Sequence, residues 1–223
     1  MDYFYLVGIL LALPFWVFLF IRKEHRKEIL IMGLIFGVAA VVIEHAYAKW
    51  DYWHPVYIFP KVPFEDFLYG VVYGGISSEL YEIFWKVKDS EFPRHETYKE
   101  FFLLGILLVA GTFWLLVDTL ALNSITAHIV PPIIVGIIVG SLRKELVKFQ
   151  LFNGVVIALL TFGVFKLLFL IYPGMIEKYW MLENLSGVFV LQVPVEELLF
   201  AFAVGFGASC FYELAFGYAL VKK

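Results

Sequence analysis

The 223-residue sequence has one cysteine, and only 17% of its residues are charged. A single cysteine excludes a disulfide framework or a zinc–thiolate site within one chain. Ordinary soluble domains carry about 25% charge. The shortage here, with 62% of the chain apolar, excludes a water-soluble globule, which could not hide that much apolar surface. Basic residues are not in excess. Seventeen Lys and Arg against twenty Asp and Glu give a net charge of −3, which leaves no basic surface for nucleic acid. The first apolar run has no basic residue before it and no small-residue cleavage site after it, so it is expected to be a membrane span and not a cleaved leader. Apolar and aromatic side chains are abundant: 24 Phe, 13 Tyr and 6 Trp, with a mean hydropathy of +0.85. The expected class is all-α, a polytopic helix bundle in the lipid bilayer of the cell membrane.

A span needs about 20 mostly apolar residues. Seven candidates run over 3–21, 28–48, 63–85, 101–121, 124–142, 149–172 and 194–220. Lys and Arg gather on the cytoplasmic side of membrane proteins. Thirteen of the seventeen fall in the loops after spans one, three and five and in the tail. Three, Lys49, Lys61 and Lys178, fall on the other side, and Lys166 lies within span six. That sorting predicts a multi-pass protein with its N-terminus outside and its C-terminus in the cytoplasm.

Two segments align without gaps at an offset of 131. PFEDFLYGVVYGGISSELYEIF begins at Pro63 and PVEELLFAFAVGFGASCFYELAF at Pro194. They share Pro63/Pro194, Glu65/Glu196, Leu68/Leu199, Gly74/Gly205, Ser78/Ser209, Tyr81/Tyr212 and Glu82/Glu213, with Asp66 opposite Glu197. Spans three and seven therefore enter the membrane in the same direction. Two three-helix repeats, 1–98 and 124–223, joined by a linking helix within 99–123, satisfy that condition about an axis along the membrane normal.

Nine of the twenty acids fall inside the expected spans, where charge is costly and marks a partner, a cavity or a pathway. Glu44, Glu65, Asp66, Asp118, Glu196 and Glu197 should share the outer layer, with His45, His128 and Lys166 at a similar depth. Glu82 and Glu213 lie 17 residues beyond Glu65 and Glu196, roughly 25 Å at helical rise, and read as anchors at the inner interface. Pro followed by two acids also suits an ordinary helix N-terminus. The duplication, with further acids and histidines at the same depth, favours a site. A carboxyl in apolar surroundings favours its neutral form, and adjacent carboxyls share a proton, which equips such a layer for acid–base chemistry or proton transport. Trp50, Trp53, Tyr69, Tyr73 and Trp180 flank the layer. They form either an interfacial aromatic belt or, for some of them, the wall of a substrate cavity whose π faces stabilise a cation.

The Pro-x-Glu-acid motifs, Pro63-Phe64-Glu65-Asp66 and Pro194-Val195-Glu196-Glu197, each follow a tryptophan-bearing outer loop. In this the chain resembles the lycopene cyclase domain family, the small membrane-embedded, flavin-independent carotenoid cyclases. The acid that the family places about nine residues before the loop tryptophan is matched by Glu44, nine before Trp53; around Phe169-Leu170 the second half is apolar. The resemblance implies ring closure at the acyclic ends of lycopene, giving β-rings without net redox change or cofactor. Glu196 and Glu65 would be the leading catalytic carboxyls, followed by Glu197, Asp66 and Glu44. Asp118, His128 and Lys166 would be substrate-side partners of these acids.

Other readings remain at this stage. The acids suit a proton- or cation-coupled transporter, although they form one layer and not a path. A relative acting on another polyene or isoprenoid is open, and so is a homo-oligomer. A metal enzyme using Glu44, Glu65, Glu196 and His128 has no recognisable ligand spacing, and no metal is expected. Glu196-Glu197-Leu198-Leu199-Phe200 resembles the start of the CAAX-type intramembrane protease motif, but Ala201 replaces its Arg and no His follows. A retinal protein would need a lysine in span seven, which has none, and Gly205-Phe206-Gly207 sits mid-helix, away from any dinucleotide-binding turn.

Overall fold

A computed structural model describes residues 3–22, 24, 26–59, 62–90 and 98–222. Lys23, Lys61, Arg94 and Lys223, four of the basic residues used for orientation, lie outside the described residues. With no water in a bilayer core, the backbone must satisfy its own hydrogen bonds, and the apolar runs become helices. They are α1 Phe4–Phe20, α2 Arg26–Ile43 with its continuation α3 Lys49–Asp51, α4 Phe64–Trp85, α5 Lys99–Trp114, α6 Ser124–Leu142 and α7 Val147–Ile171. After the short α8 Met175–Tyr179 come α9 Val195–Ala208 and α10 Phe211–Phe216. Five stretches are long and apolar enough to cross a membrane: Arg26–Asp51, Glu100–Thr119, Ser124–Leu142, Lys144–Ile171 and Val195–Phe216. This is the build of a multi-pass membrane protein. Of the other expected spans, α1 is shorter at 17 residues, and α4 carries four acids, Glu65, Asp66, Glu79 and Glu82.

The expected span 194–220 is not one helix. It breaks at Ser209, which is extended, and Cys210, which has φ +63, and resumes as α10. Gly217, at φ +70, ends α10 in the left-handed conformation that glycine adopts without a Cβ clash, and the chain leaves as a strand. Leu220 therefore sits in β4 Ala219–Lys222, which pairs antiparallel with β1 Val87–Ser90, the segment just beyond α4. Asp89 pairs with Leu220, its own counterpart at the 131-residue offset, and Lys88↔Val221 maps onto Ser90↔Ala219 under the same offset. A ribbon whose register is unchanged when its strands exchange places has a local two-fold axis through its centre. A second, shorter ribbon, β2 Phe189–Val190 with β3 Val193–Pro194, leads into α9.

Within each half the last long helix lies between the two before it: α4 on α2 and α1, α9 on α7 and α6. Glycines permit the close approach, as small residues do between membrane helices. Gly33 and Gly37 of α2 face Gly70 and Gly74 of α4, so that a methyl on Gly70 would overlap the Phe36 carbonyl and come within 2.6 Å of the Gly37 Cα. In the second half Gly207 abuts the Pro132 carbonyl, and Gly205 abuts Ile157.

The halves are joined in the interior by Asn153 of α7, fully buried, whose Nδ2 donates to the Ser77 carbonyl of α4 at 2.6 Å and to the Gly205 carbonyl of α9 at 3.0 Å. Asn153→Leu is expected to lower stability by about 1 kcal/mol, the usual scale of a polar contact between membrane helices. Thermal unfolding in detergent measures it, and an unchanged midpoint would show that the clamp is dispensable.

Candidate functional site

A cavity runs between the two halves, lined by α1, α2, α4, α5, α6, α7 and α9 and roofed by the loops that carry Trp53 and Trp180. It encloses about 1450 Å³ of atom-free space, part of it continuous with the outside. Apolar and aromatic side chains dominate its wall, and two carboxyls reach it, Glu44 and Glu197.

These loops place the carboxyls. Trp53 and Trp180, one from each half, sit side by side in an antiparallel bridge. The bridge is extended by His54 N–H donating to the Tyr179 carbonyl at 2.7 Å and Met181 N–H to that of Tyr52 at 2.8 Å. Each indole then reaches an acid. Trp53 Nε1–H donates to Glu44 Oε2 at 2.9 Å, and Trp180 Nε1–H to Glu197 Oε1 at 2.8 Å. The Tyr52 hydroxyl donates to the same Glu197 oxygen. Glu44 opens a π-helical turn, Glu44–Ala48, that interrupts the helical ladder between α2 and α3. Such insertions re-aim side chains and recur at functional sites. A second π-helical turn, Leu115–Thr119, holds Asp118, which accepts from Tyr47 at 2.9 Å.

Phe4 and Tyr5, in the first turn of α1, close the cavity beside the tryptophans, with ring centroids 5.5 Å (Phe4–Trp180) and 4.8 Å (Tyr5–Trp53) apart. Tyr69 and Tyr73 lie 4.6 Å apart on the α4 wall, and His128 sits between Phe113 at 4.8 Å and Phe200 at 5.6 Å. Burial, and then the neighbouring carboxylates, hold the hydroxyls of the loop residues Tyr52 and Tyr57 above the usual phenol range, so both remain protonated donors.

The structure thus gathers Glu44, Glu197, Trp53, Trp180, Tyr69, Tyr73 and His128 around one space. The acids that lead each motif turn elsewhere. Glu65 accepts the N–H groups of Ile58 at 2.6 Å and Phe59 at 3.2 Å, and Glu196 accepts that of Ser186 at 2.6 Å. Both are buried and brace the loop preceding their own helix, at positions 131 residues apart. Asp66 lies beside the site, accepting from Tyr57 at 3.1 Å and facing His45 Nδ1 at 3.4 Å. Trp50, Asp118 and Lys166 are away from the cavity wall. Trp50 is 70% exposed, and Lys166 donates to the Leu191 carbonyl in the β2–β3 turn. Glu82 and Glu213, expected as interfacial anchors, are instead buried at 2% and 0% exposure. Phe4, Tyr5, Phe113 and Phe165 are wall residues that sequence reasoning missed, because an aromatic near a span end reads equally well as an interfacial belt.

Residues 123–215, from the N-cap of α6 into α10, match the lycopene cyclase family model, a segment that holds the second of the two Pro-x-Glu-acid motifs. The matched segment contains Trp180, Glu196 and Glu197. No curated protein sequence and no solved structure matches the chain. The matched segment covers less than half of the chain, and part of the site, Glu44 and Trp53 included, lies outside it.

Proposed function

We propose that the chain closes the acyclic ends of lycopene into β-rings inside the Glu44–Glu197 cavity by acid–base chemistry. The observation that carries this reading is the pairing of two carboxyls in an otherwise apolar, aromatic-walled space, one of them within the segment that matches the family. Glu197, which accepts from both Tyr52 and Trp180 on one oxygen, serves as the base. Glu44, with one indole donor, serves as the acid. Glu44 protonates the terminal double bond. The tertiary cation is attacked by the next double bond, which forms the ring bond and moves the positive charge onto the ring. Glu197 removes the adjacent ring proton, leaving the new double bond of the β-ring. Atoms and electrons balance within the hydrocarbon, so the closure is an isomerisation. The barrier falls through positioning of the folded chain end, exclusion of water and the π faces of Trp53, Trp180 and the tyrosines around the cation.

The same reading takes the chain as two repeats, 1–98 and 124–223, joined by a linker within 99–123. The β1–β4 register and the equivalent loop braces of Glu65 and Glu196 support it. It also takes the protein as seven-spanning in the cell membrane, with the cavity in the outer leaflet and the C-terminus cytoplasmic, supported by the distribution of Lys and Arg.

The test is production in lycopene-accumulating cells, with chromatography of the pigments. The expected result is one- or two-ringed carotene in place of lycopene. Lycopene left wholly acyclic by well-expressed, folded protein would reject this substrate, and proton flux in pigment-free proteoliposomes would point to transport instead.

A further inference from the structure

The end of the bundle opposite the cavity holds a second group of acids that the cyclisation does not use. Glu28 in the first turn of α2, Asp89 on β1 and Glu213 on α10 each bring one carboxylate oxygen within 4.8 Å of the other two. Glu28 is 3% exposed and Glu213 fully buried. The Tyr81 hydroxyl donates to Glu213 Oε1, while Glu213 Oε2 and Glu28 Oε1 are buried and have no hydrogen-bond partner among the described residues. Arg143 is close by, but it directs its N–H groups to the carbonyls of Glu213 and Tyr218 and to the Glu145 carboxylate. Two buried carboxylates, Glu28 and Glu213, converging with unfilled lone pairs demand either protons or a cation.

We propose that Glu28, Asp89 and Glu213 hold one hard divalent cation, of the class of Mg²⁺, Mn²⁺ or Ca²⁺. An all-carboxylate ligand set selects such ions over thiophilic or imidazole-seeking metals. The three ligands come from separate parts of the chain: the start of α2, the ribbon strand β1, and the helix that restarts after the break at Cys210. The ion ties these parts together at the point where the two repeats exchange strands. In the first half the counterpart of Glu213 is Glu82, on the uninterrupted α4. Among the described residues the cluster occurs once, with Glu213 and not Glu82 as its member. Its place, at the far end of the bundle from Glu44 and Glu197, makes its role structural and independent of the substrate that the cavity takes.

The test uses the full chain in detergent, stripped with chelator, dialysed and titrated with Mn²⁺. Binding is followed by the loss of the free-ion electron paramagnetic resonance signal and by metal analysis. The expected result is one Mn²⁺ per chain, displaced by excess Mg²⁺ or Ca²⁺, with the unfolding midpoint raised by about 5 °C at a hundredfold excess over the dissociation constant. Glu28→Gln and Glu213→Gln should each weaken binding at least about tenfold. Asp89→Asn, on the half-buried strand, is the mildest variant and should do the same with the fold intact. The absence of stoichiometric Mn²⁺ on the stripped wild-type protein overturns the proposal, whatever the variants do. So does full retention of Mn²⁺ in folded Asp89→Asn and Glu213→Gln.

Discussion

Glu197→Gln leaves lycopene acyclic. Turnover is expected to fall by about 10²- to 10⁴-fold, the range that a positioned proton-transfer group contributes. Glutamine keeps the size of the side chain and can still accept from Tyr52 and Trp180, so the roof of the cavity should hold while the base is lost. Glu44→Gln should be as severe, because the acid has no substitute on the wall. Tyr52→Phe and Trp180→Phe each remove one donor from Glu197 and leave its carboxylate in place, so they should cost less. Glu65→Gln and Glu196→Gln are expected to differ in kind. Their carboxylates accept backbone N–H groups of the outer loops, so they should lower the unfolding midpoint more than the turnover of whatever protein folds. Pigment chromatography and expression level, read on the same cells, separate the two effects. Full cyclisation by Glu197→Gln, with folded but inactive Glu65→Gln and Glu196→Gln, would return the chemistry to the leading acid of each motif.

The reversal within the motif shows where sequence reasoning reached its limit. The motif and its recurrence are legible, because Pro, Glu and Tyr are rare inside spans and their repetition at a fixed offset stands out. That Glu197 and not Glu196 lines the cavity is not, since adjacent residues on a helix point about 100° apart and the choice depends on the neighbouring helices. Helix positions agreed to within a few residues for most spans, because apolar length alone sets them. The break at Ser209–Cys210 escaped notice, since no proline marks it and its first-half counterpart, Ser78–Glu79, is helical. The acids at the inner end were taken for surface anchors because a lone Glu near a span end carries no sign of what folds over it. They are buried at the end of the bundle where the β1–β4 ribbon brings residues 130 or so positions apart into register.

Gly70→Ala is expected to be the most damaging single-methyl change in the bundle. The added Cβ would overlap the carbonyl of Phe36 and come within 2.6 Å of the Gly37 Cα, and both of these are backbone atoms that no rotamer change can move aside. Helices α2 and α4 would have to separate, at a cost of about 1–3 kcal/mol or more. Gly111→Ala in α5 provides the control, because nothing lies within 4 Å of the added methyl. There the helix-propensity gain of about 0.5–1 kcal/mol should appear unopposed. Thermal unfolding in detergent should therefore move in opposite directions for two chemically identical substitutions, and equal midpoints would show that the α2–α4 approach is not as tight as described. The effect also reaches function. Glu44 follows directly on α2, while Tyr69, Tyr73 and Gly70 itself form the α4 side of the same cavity wall. Separating the helices widens the gap between the acid and the aromatic face opposite. A misplacement of about 1 Å at a reacting centre costs on the order of 10²-fold in rate. The Gly70→Ala protein that remains folded should thus cyclise poorly, with every group named in the chemistry still present.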